Sequence, residues 1–430
     1  MTRSIRNFLA THNLLAVSAQ LQEPAINSEQ ELDTLMLADL SSVLNYRSLK
    51  VPNREELTGK EEADRLHDLG GSVGGSLTFS RAQPQHFAFL LAFCLGQVET
   101  AALGGGFRHV IRPRSGEVDE ARSNPSFTAA MRFGRQVLKR RFASCFIDQV
   151  RAEFPKDGWA KISGTLKGTG KVSDNTQVEE VAAPFNSSSL TLAILGVAGE
   201  SAGERLSNVQ AVQVLNPETQ AWEEVSYSAV SASVPGVITI SPPGSTATAT
   251  TFRVYYLPPE SGWMVLPPRV EEPPLKVSRM QVNLGGRWDG SAILGGHQLN
   301  AELRRLSWTY DNHLTPERTP GAGVEYANRS FRAGREQKLE FDRDFRDFLL
   351  AQHLKDNDTL TVHLLAQGPE LEPGLNYQVE LIFPKVGVLA APVKVAQRRL
   401  AEEVEFAVLE DDTYGSVIVR VQNMVGGYAA

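Results

Sequence analysis

The feature that most limits the possible folds of this chain is a short pattern that occurs twice, once in each half. In the first half, SLTFSR at Ser76–Arg81 is followed by FLLAFCL at Phe89–Leu95. In the second half, KLEFDR at Lys338–Arg343 is followed by FLLAQHL at Phe348–Leu354. Each copy predicts a strand followed by an amphipathic helix. The sequence therefore predicts two related halves.

A third match keeps the same order along the chain. EFPKDG at Glu153–Gly158 follows an alternating apolar run in the first half, and IFPKVG at Ile382–Gly387 follows one in the second. One short match can arise by chance, but three matches in the same order are less probable by chance. We infer a duplicated β-rich domain, whose first copy carries an extra long loop between about Gln97 and Val137.

The middle of the chain differs in composition from both halves. Between Phe185 and Met264 there is no Lys, Cys or His, and alternating Ser, Thr, Ala and Val residues are interrupted by Pro-Gly pairs. This pattern is typical of short antiparallel strands joined by tight turns, as in a small β-sandwich. A stiff Pro-rich connector follows at Leu266–Lys276. The predicted domains are 1–184 with the long loop at about 97–137, an inserted sandwich with its connector at 185–275, and 276–430.

Charge and cysteine content narrow the possible partners. The chain has 43 Lys and Arg residues against 50 Asp and Glu, a net charge of -7, which argues against a protein that mainly coats nucleic acid. Cys94 and Cys145 lack metal-binding spacing and are predicted to be buried thiols. No apolar run reaches the roughly 20 residues that span a bilayer, so we predict no membrane contact.

Sequence motifs give no support to an enzyme. Neither GxSxG nor HExxH occurs, and the eight histidines do not have metal-ligand spacing. The glycine-rich Gly164–Val172 lacks the spacing of a phosphate loop. Glu402, Glu403 and Glu405 are predicted to keep a strand edge soluble. We therefore predict no catalytic site, no cofactor and no metal.

A group of basic residues surrounds the predicted turn at Pro155–Gly158. Alternate residues of a strand share a face, and this parity separates the apolar residues of the hairpin from the basic ones. The basic face consists of Lys139, Arg141, Arg151, Lys161 and Lys167. It is compatible with a solvated surface, a subunit interface or nucleic-acid contact, although it lacks the aromatic residues that stack on bases.

Four segments resemble the tail tube (major tail) proteins of tailed bacteriophages. They are SLTFSRAQPQHFAFLLAFCLG, RSNPSFTAAMRFGRQVLKRRFASCFID, WAKISGTLKGTGKVSDN and NYQVELIFPKVGVLAAPVK. The resemblance covers both halves and leaves out the middle. It implies a mainly β fold with two tail-tube-type β-sandwich domains, each with a packed helix, and the insert is then a small Ig-like β-sandwich that projects outward. It also implies stacked rings whose inner strands form one barrel.

The resemblance implies a structural protein of the virion tail that conducts the genome into the host. Because the chain holds two such domains, we expect a homotrimeric ring, with a homohexamer as the alternative. Expected partners are further copies of the chain and other tail proteins such as the tape measure, terminator and baseplate proteins. Double-stranded DNA is expected only as transient cargo.

A lumen lined with unpaired cations would retain DNA phosphates. We therefore expect Lys139, Arg141, Arg151, Lys161 and Lys167 to face a neighbouring subunit or ring. Two alternatives stay open: a carbohydrate- or host-surface-binding β-sandwich protein, and a tail terminator or baseplate ring protein.

Overall fold

The computed structural model describes residues 9–116, 118–119, 121–134, 138–259, 265–300, 302–396 and 398–430. Strands dominate this part of the chain, and the predicted mainly β fold is confirmed. The start of the predicted first domain, Val137 at the end of the predicted long loop, and Met264 lie outside the described residues. Among the described residues, no helix is both long and apolar enough to cross a membrane.

The regular elements are numbered in chain order. The first half contains β1 (Leu14–Val17), β2 (Thr34–Met36), β3 (Val43–Pro52), β4 (Leu66–Phe79), α1 (Pro84–Leu95), β5 (Gly96–Leu103), β6 (Gly106–Pro113), β7 (Phe127–Arg132), β8 (Lys139–Pro155), β9 (Lys161–Gly168) and β10 (Val172–Asp174). The middle contains β11 (Gln177–Pro184), β12 (Ser189–Thr191), α2 (Ala202–Asn208), β13 (Val209–Leu215), β14 (Trp222–Glu224), β15 (Tyr227–Val230), β16 (Val237–Ile240) and β17 (Ala249–Tyr256).

The second half contains β18 (Met280–Leu284), β19 (Arg287–Trp288), β20 (Ile293–Leu294), β21 (His297–Gln298), β22 (Leu303–Asp311), β23 (Leu314–Glu317), β24 (Arg329–Arg332), β25 (Glu336–Asp344), α3 (Leu349–Asp356), β26 (Thr359–Glu372), β27 (Leu375–Ala390), β28 (Val393–Ala396), β29 (Arg399–Val408) and β30 (Ile418–Asn423). Short 3-10 helices lie at Ala10–His12 and Val277–Arg279.

The chain forms two compact units. The smaller comprises Met1–Leu15, Ala130–Arg141 and Ser173–Leu266, and the larger comprises Ala16–Ala129, Phe142–Val172 and Pro267–Ala430. The smaller unit therefore includes residues that precede the change of composition at Phe185, and both flanking halves contribute to the larger unit. The division of the flanking halves into two tail-tube domains stays a prediction.

Two small sheets make up most of the smaller unit. One has the strand order β11, β17, β13, β14 and the other has the order β12, β16, β15. Alternate residues of β17, such as Phe252 and Val254, are buried in a shared apolar cluster with Val212 of the first sheet and Ile238 of the second. Two sheets packed on one core form a β-sandwich.

Helix α1 lies inside the core of the larger unit. Every residue from Pro84 to Leu95 is buried, and the rings of Phe89 and Phe93 lie 5.1 and 5.0 Å from the ring of Phe127. A helix that is apolar on all sides belongs in a core. The prediction of an amphipathic helix is therefore wrong for the first half.

Helix α3 is the counterpart of α1 in the second half, and it is mostly exposed. Only Leu350 is buried, whereas Phe348, immediately before the helix, is 72% exposed. The helix ends at Asn357, which adopts a left-handed conformation with φ of 54°. The sequence pattern therefore predicts both helices correctly but does not predict how differently they are covered.

The third sequence match has two different structures. In the first half, the strand β8 ends at Pro155, and Gly158 adopts a φ of 95° in the turn that leads to β9. In the second half, β27 continues through the matching Pro384 and Gly387 to Ala390. Glycine permits the tight turn but does not impose it.

Both cysteines are free and buried, as predicted. Burial raises the pKa of the Cys94 thiol and that of the Cys145 thiol well above the ordinary value. Neither thiol is therefore a reactive thiolate near neutral pH.

Candidate assembly edges of the central sheet

Eight strands of the larger unit form a continuous antiparallel part of a 19-stranded sheet, and this part is called here the central sheet. Their order is β3, β4, β9, β8, β22, β25, β29, β28. The first half of the sheet consists of the hairpins β3–β4 and β8–β9. The second half consists of the hairpins β22–β25 and β28–β29. In both halves, the second strands of the two hairpins pair with each other. The central sheet thus contains one four-strand arrangement twice.

The repeated sequence pattern occupies the same place in both arrangements. Phe79 of SLTFSR pairs with Ile162 of β9, and Phe341 of KLEFDR pairs with Val404 of β29. All four side chains are buried. The pattern therefore marks the strand that joins the two hairpins in each half.

The strands β8 and β22 join the two halves at an internal junction. Their cross-strand pairs on the buried face are Val150–Tyr310, Ala152–Trp308 and Phe154–Leu306. Cross-strand neighbours share a face, so the apolar layer continues from one half into the other. Helix α1 packs on this face, since a Cβ at Gly164 of β9 would lie 2.8 Å from Cδ2 of Leu90.

One end of the central sheet is β3. Within the described residues, its only ladder is the one with β4, and its residues from Asn45 to Val51 are exposed. Tyr46, Leu49 and Val51 are 41%, 45% and 47% exposed. A long exposed edge strand with apolar side chains is a template for pairing with another chain.

The other end is β28, which follows the last residues of β27 along β29. The carbonyl of Pro392 accepts a hydrogen bond of 3.2 Å from the N–H of Glu403 in β29. In an antiparallel ladder the direction of these groups alternates, so the N–H groups of Val393 and Val395 point away from β29. In the part of the chain that the structure describes, no strand lies along that side of β28.

The face of the central sheet opposite α1 is polar, and many of its charges are paired. Nζ of Lys338 lies 2.7 Å from Oε1 of Glu340, and this hydrogen bond raises the pKa of Lys338. Nε of Arg305 lies 3.0 Å from Oδ2 of Asp342. Exposed pairs of this kind contribute little to stability, because solvent screens them. Their larger effect is to neutralise the charge of the face.

Two predicted site residues, Arg151 and Lys161, lie exposed on this polar face. Arg151 pairs across the strands with Ser163, and Lys161 pairs with Glu153. The structure therefore brings these two basic residues to neighbouring positions of one hairpin, as parity predicts for this part.

Lys167 is partly engaged within the chain. Its Nζ lies 2.9 Å from Oδ2 of Asp148 and donates a hydrogen bond of 2.8 Å to the carbonyl of Leu314. These contacts connect the β8–β9 hairpin to the start of β23.

Lys139 and Arg141 belong to the smaller unit. The side chain of Lys139 is buried, and burial together with the charge of Arg132 lowers its pKa. Arg141 is half-buried. Little of Lys139 is thus available to another subunit, while an interface role for the five basic residues stays a prediction.

The alternation behind the prediction of one basic face is interrupted twice along β8. Ser144 adopts a φ of 47°, and the register of β8 with β9 shifts between Ile147 and Gln149. The buried carboxylate of Glu23 explains the first irregularity, since its Oε1 accepts a hydrogen bond of 2.8 Å from the N–H of Ser144. Parity counted from Lys139 is therefore interrupted at both positions, and a single basic face along the whole hairpin stays a prediction.

Glu402 is a core residue and does not make a strand edge soluble. Its Oε2 lies 2.7 Å from Nε of Arg343, and both side chains are 1% exposed. Burial raises the pKa of Glu402 although Arg343 opposes this effect. Its strand β29 lies between β25 and β28, so the prediction of an edge is wrong here.

Glu272 fixes the connector to the larger unit, which sequence reasoning missed. Its carboxylate accepts hydrogen bonds of 2.8 Å from the N–H of Gln85 and 3.2 Å from the N–H of Met424. Gln85 lies in the first turn of α1, where the helix dipole favours a carboxylate. Burial nevertheless raises the pKa of Glu272 to about 7.

Comparisons with protein-family models and with curated proteins found no match. No group of three or more potential metal ligands occurs among the residues that the structure describes. The two open edges of the central sheet, β3 and β28, have main-chain groups and apolar side chains that are available for contact. These are means of binding another strand.

Proposed function

We propose that this chain is a structural tail tube protein of a tailed bacteriophage, which polymerises into stacked rings and forms the conduit for genome ejection. One observation carries the proposal: two equivalent four-strand arrangements lie side by side in one sheet, and in the described residues their end strands β3 and β28 each have one side without a ladder. The resemblance of the sequence to tail tube proteins supplies the biological setting.

The internal junction serves as the template for the junction between copies. The strand β8 is the first strand of its hairpin and corresponds to β28, and β22 corresponds to β3. Because β8 pairs with β22 inside the chain, we expect β28 of one copy to pair with β3 of the next. Repetition of this contact closes a barrel, which leaves no unpaired edge.

We propose three copies in each ring, with six as the alternative. A ring of three two-domain chains has the same number of domains as a ring of six single-domain chains. Its neighbours along the tube are further rings and, at its ends, other tail proteins such as the tape measure, terminator and baseplate proteins. The insert is then an Ig-like decoration, and no enzymatic step is needed.

The barrel is expected to close with its polar face inside. The opposite face carries α1, and this thicker layer needs the larger outer circumference. Arg151 and Lys161 then line the lumen, which differs from the subunit interface expected from the sequence. The ion pairs of Lys338 with Glu340 and of Arg305 with Asp342 on the same wall would limit the retention of DNA phosphates, so DNA passes as transient cargo.

The test is to remove one outward N–H group from β28. Val395→Pro deletes this donor while sparing the hydrogen bonds to β29, and Val395→Ala is the matched control that keeps the N–H. We expect tubes with threefold symmetry in cryo-electron microscopy for the unmodified protein and for Val395→Ala, and none for Val395→Pro. Tubes of Val395→Pro, or an unmodified protein that stays monomeric, would contradict the proposal.

A carbohydrate- or host-surface-binding protein is the second candidate. Exposed apolar side chains on loops of the insert favour it, since Ile194 and Val234 are 75% and 69% exposed. Discrete monomers with affinity for polysaccharides, and no tubes at any concentration, would favour this function. Rings that form but never stack would instead favour a terminator or baseplate ring protein.

A further inference from the structure

We propose that an apolar patch beside β28 seats the β3 strand of a second copy and continues the hydrophobic layer across the junction between copies. The patch, called here the edge patch, consists of Phe348, Val393, Val395 and Leu400. This inference rests on the proposed function and specifies the surface through which it operates.

Phe345 connects the two parts of the edge patch. Val395 and Leu400 are cross-strand neighbours of β28 and β29. The carbonyl of Leu400 accepts a hydrogen bond of 3.1 Å from the N–H of Phe345, whose ring lies 5.1 Å from that of Phe348. The open strand edge is thereby connected to the start of α3.

The edge patch is also strongly exposed. Phe348, Val395 and Leu400 are 72%, 74% and 51% exposed, and Val393 is 43% exposed. Apolar residues that are exposed singly are common, but a group of them beside an unpaired strand indicates an interaction surface. The group therefore requires an apolar occupant that also supplies main-chain hydrogen bonds.

The β3 strand of a second copy meets both requirements. Leu400 lies on the same face of β29 as the buried Val404, and Val395 shares that face. On β3, Tyr46 pairs with the buried Val73 of β4 and so lies on the corresponding face. When β28 of one copy lies along β3 of another, these apolar side chains meet on one side of the sheet.

The internal junction indicates what such a contact achieves. On the same face, Trp308 and Tyr310 of β22 are fully buried beside Ala152 and Val150 of β8. In the isolated chain, the corresponding layer at β28 ends in the exposed edge patch. A second copy would bury the edge patch in the way that β22 buries the apolar side chains of β8.

Charge substitutions in the edge patch test the proposal. Phe348→Asp and Val395→Asp place a carboxylate in the contact, whereas Ile194→Asp, an equally exposed site on the insert, is the matched control. Desolvation of an unpaired charge is unfavourable, so we expect the critical concentration for polymerisation to rise at least about tenfold, equivalent to about 1.4 kcal/mol. Ile194→Asp should polymerise like the unmodified protein, as measured by sedimentation velocity.

Cysteine pairs test the orientation of the contact. A chain with Val395→Cys, mixed with a chain carrying Tyr46→Cys or Ser48→Cys, should form an intermolecular disulfide, because cross-strand Cβ atoms approach to the distance that a disulfide requires. The natural cysteines are buried and leave this assay undisturbed. Circular dichroism verifies that each variant folds.

The outcomes separate the inference from the proposed function. If Val395→Pro abolishes tubes but Phe348→Asp assembles normally and no disulfide forms, the edge-patch inference is wrong and the tube function stands. If the unmodified protein never polymerises, both are wrong.

Discussion

The two halves of the larger unit carry the same sequence pattern, yet the helix of the pattern is buried in one half and mostly exposed in the other. Helix α1 is buried on all sides, whereas α3 buries only Leu350. Each half has one strand at the internal junction, β8 or β22, and one strand at an open edge, β3 or β28. A repeated pattern therefore specifies the same elements twice, while their burial depends on what lies beside them.

The arginine that ends the pattern also differs in burial between the two halves. Arg343 is buried in an ion pair with Glu402, and Arg81, its equivalent in SLTFSR, is exposed. In the register of the first half, the position that matches Glu402 holds Ala160. Without a carboxylate on the facing strand, burial of an arginine is too unfavourable.

Truncation of a phenylalanine in each helix region should give the largest contrast. Phe89→Ala removes a ring that packs on Phe93 and Phe127, so we expect a loss of about 3–5 kcal/mol in the free energy of unfolding. Phe348→Ala should change it by less than about 0.5 kcal/mol in the isolated chain. Urea unfolding measures both, and equal losses would mean that α3 is covered without a second copy.

The two arginines provide the next contrast. Arg343→Met leaves Glu402 buried without its partner, and we expect a loss of about 3 kcal/mol in the free energy of unfolding. The loss should stay near the lower end of the usual range, because Glu402 has a raised pKa and can take up a proton. Arg81→Met is the matched control and should lie within about 0.5 kcal/mol of the unmodified protein. A large effect of Arg81→Met would show that the halves are more alike than their burial indicates.

The smallest effect concerns the connector, whose Glu272 contacts α1. The folded-state pKa of Glu272 is raised from 4.5 to about 7. The stability that its protonated form contributes is therefore complete below about pH 4.5 and is lost as the pH rises through about 7. Glu272→Gln, whose amide oxygen can still accept one N–H, should reduce the fall in melting temperature between pH 5 and pH 8.

Glu271→Gln is the control for this experiment, because Glu271 is the exposed neighbour of Glu272. It should keep the pH dependence of the unmodified protein. Identical pH profiles for the two variants would assign the titration to another group.

The sequence allowed the mainly β class and the helices α1 and α3 to be predicted, because alternation and helical spacing are local signals. The two buried cysteines were predicted from their apolar neighbours. The interruptions of strand parity at Ser144 and between Ile147 and Gln149 were not predictable from alternation alone. The left-handed conformation of Ser144 depends in turn on Glu23, which is distant in sequence.

Burial was the property least accessible from local sequence. FLLAFCL is apolar throughout, so the prediction of an amphipathic helix there lacks the polar face that FLLAQHL has. Glu402 and Glu403 are neighbours of the same type, but only Glu402 faces Arg343 across the sheet. The open edges of β3 and β28 depend on strand order, which sequence periodicity does not contain.

The internal junction between β8 and β22 has a kinetic consequence for assembly. Because one chain holds both strands, this junction forms during folding at an effective concentration set by the chain itself. In a ring of three such chains, every second junction exists before any two chains collide. Nucleation then requires fewer encounters than in a ring of six separate domains, and a protein of this design should begin to polymerise at a lower concentration.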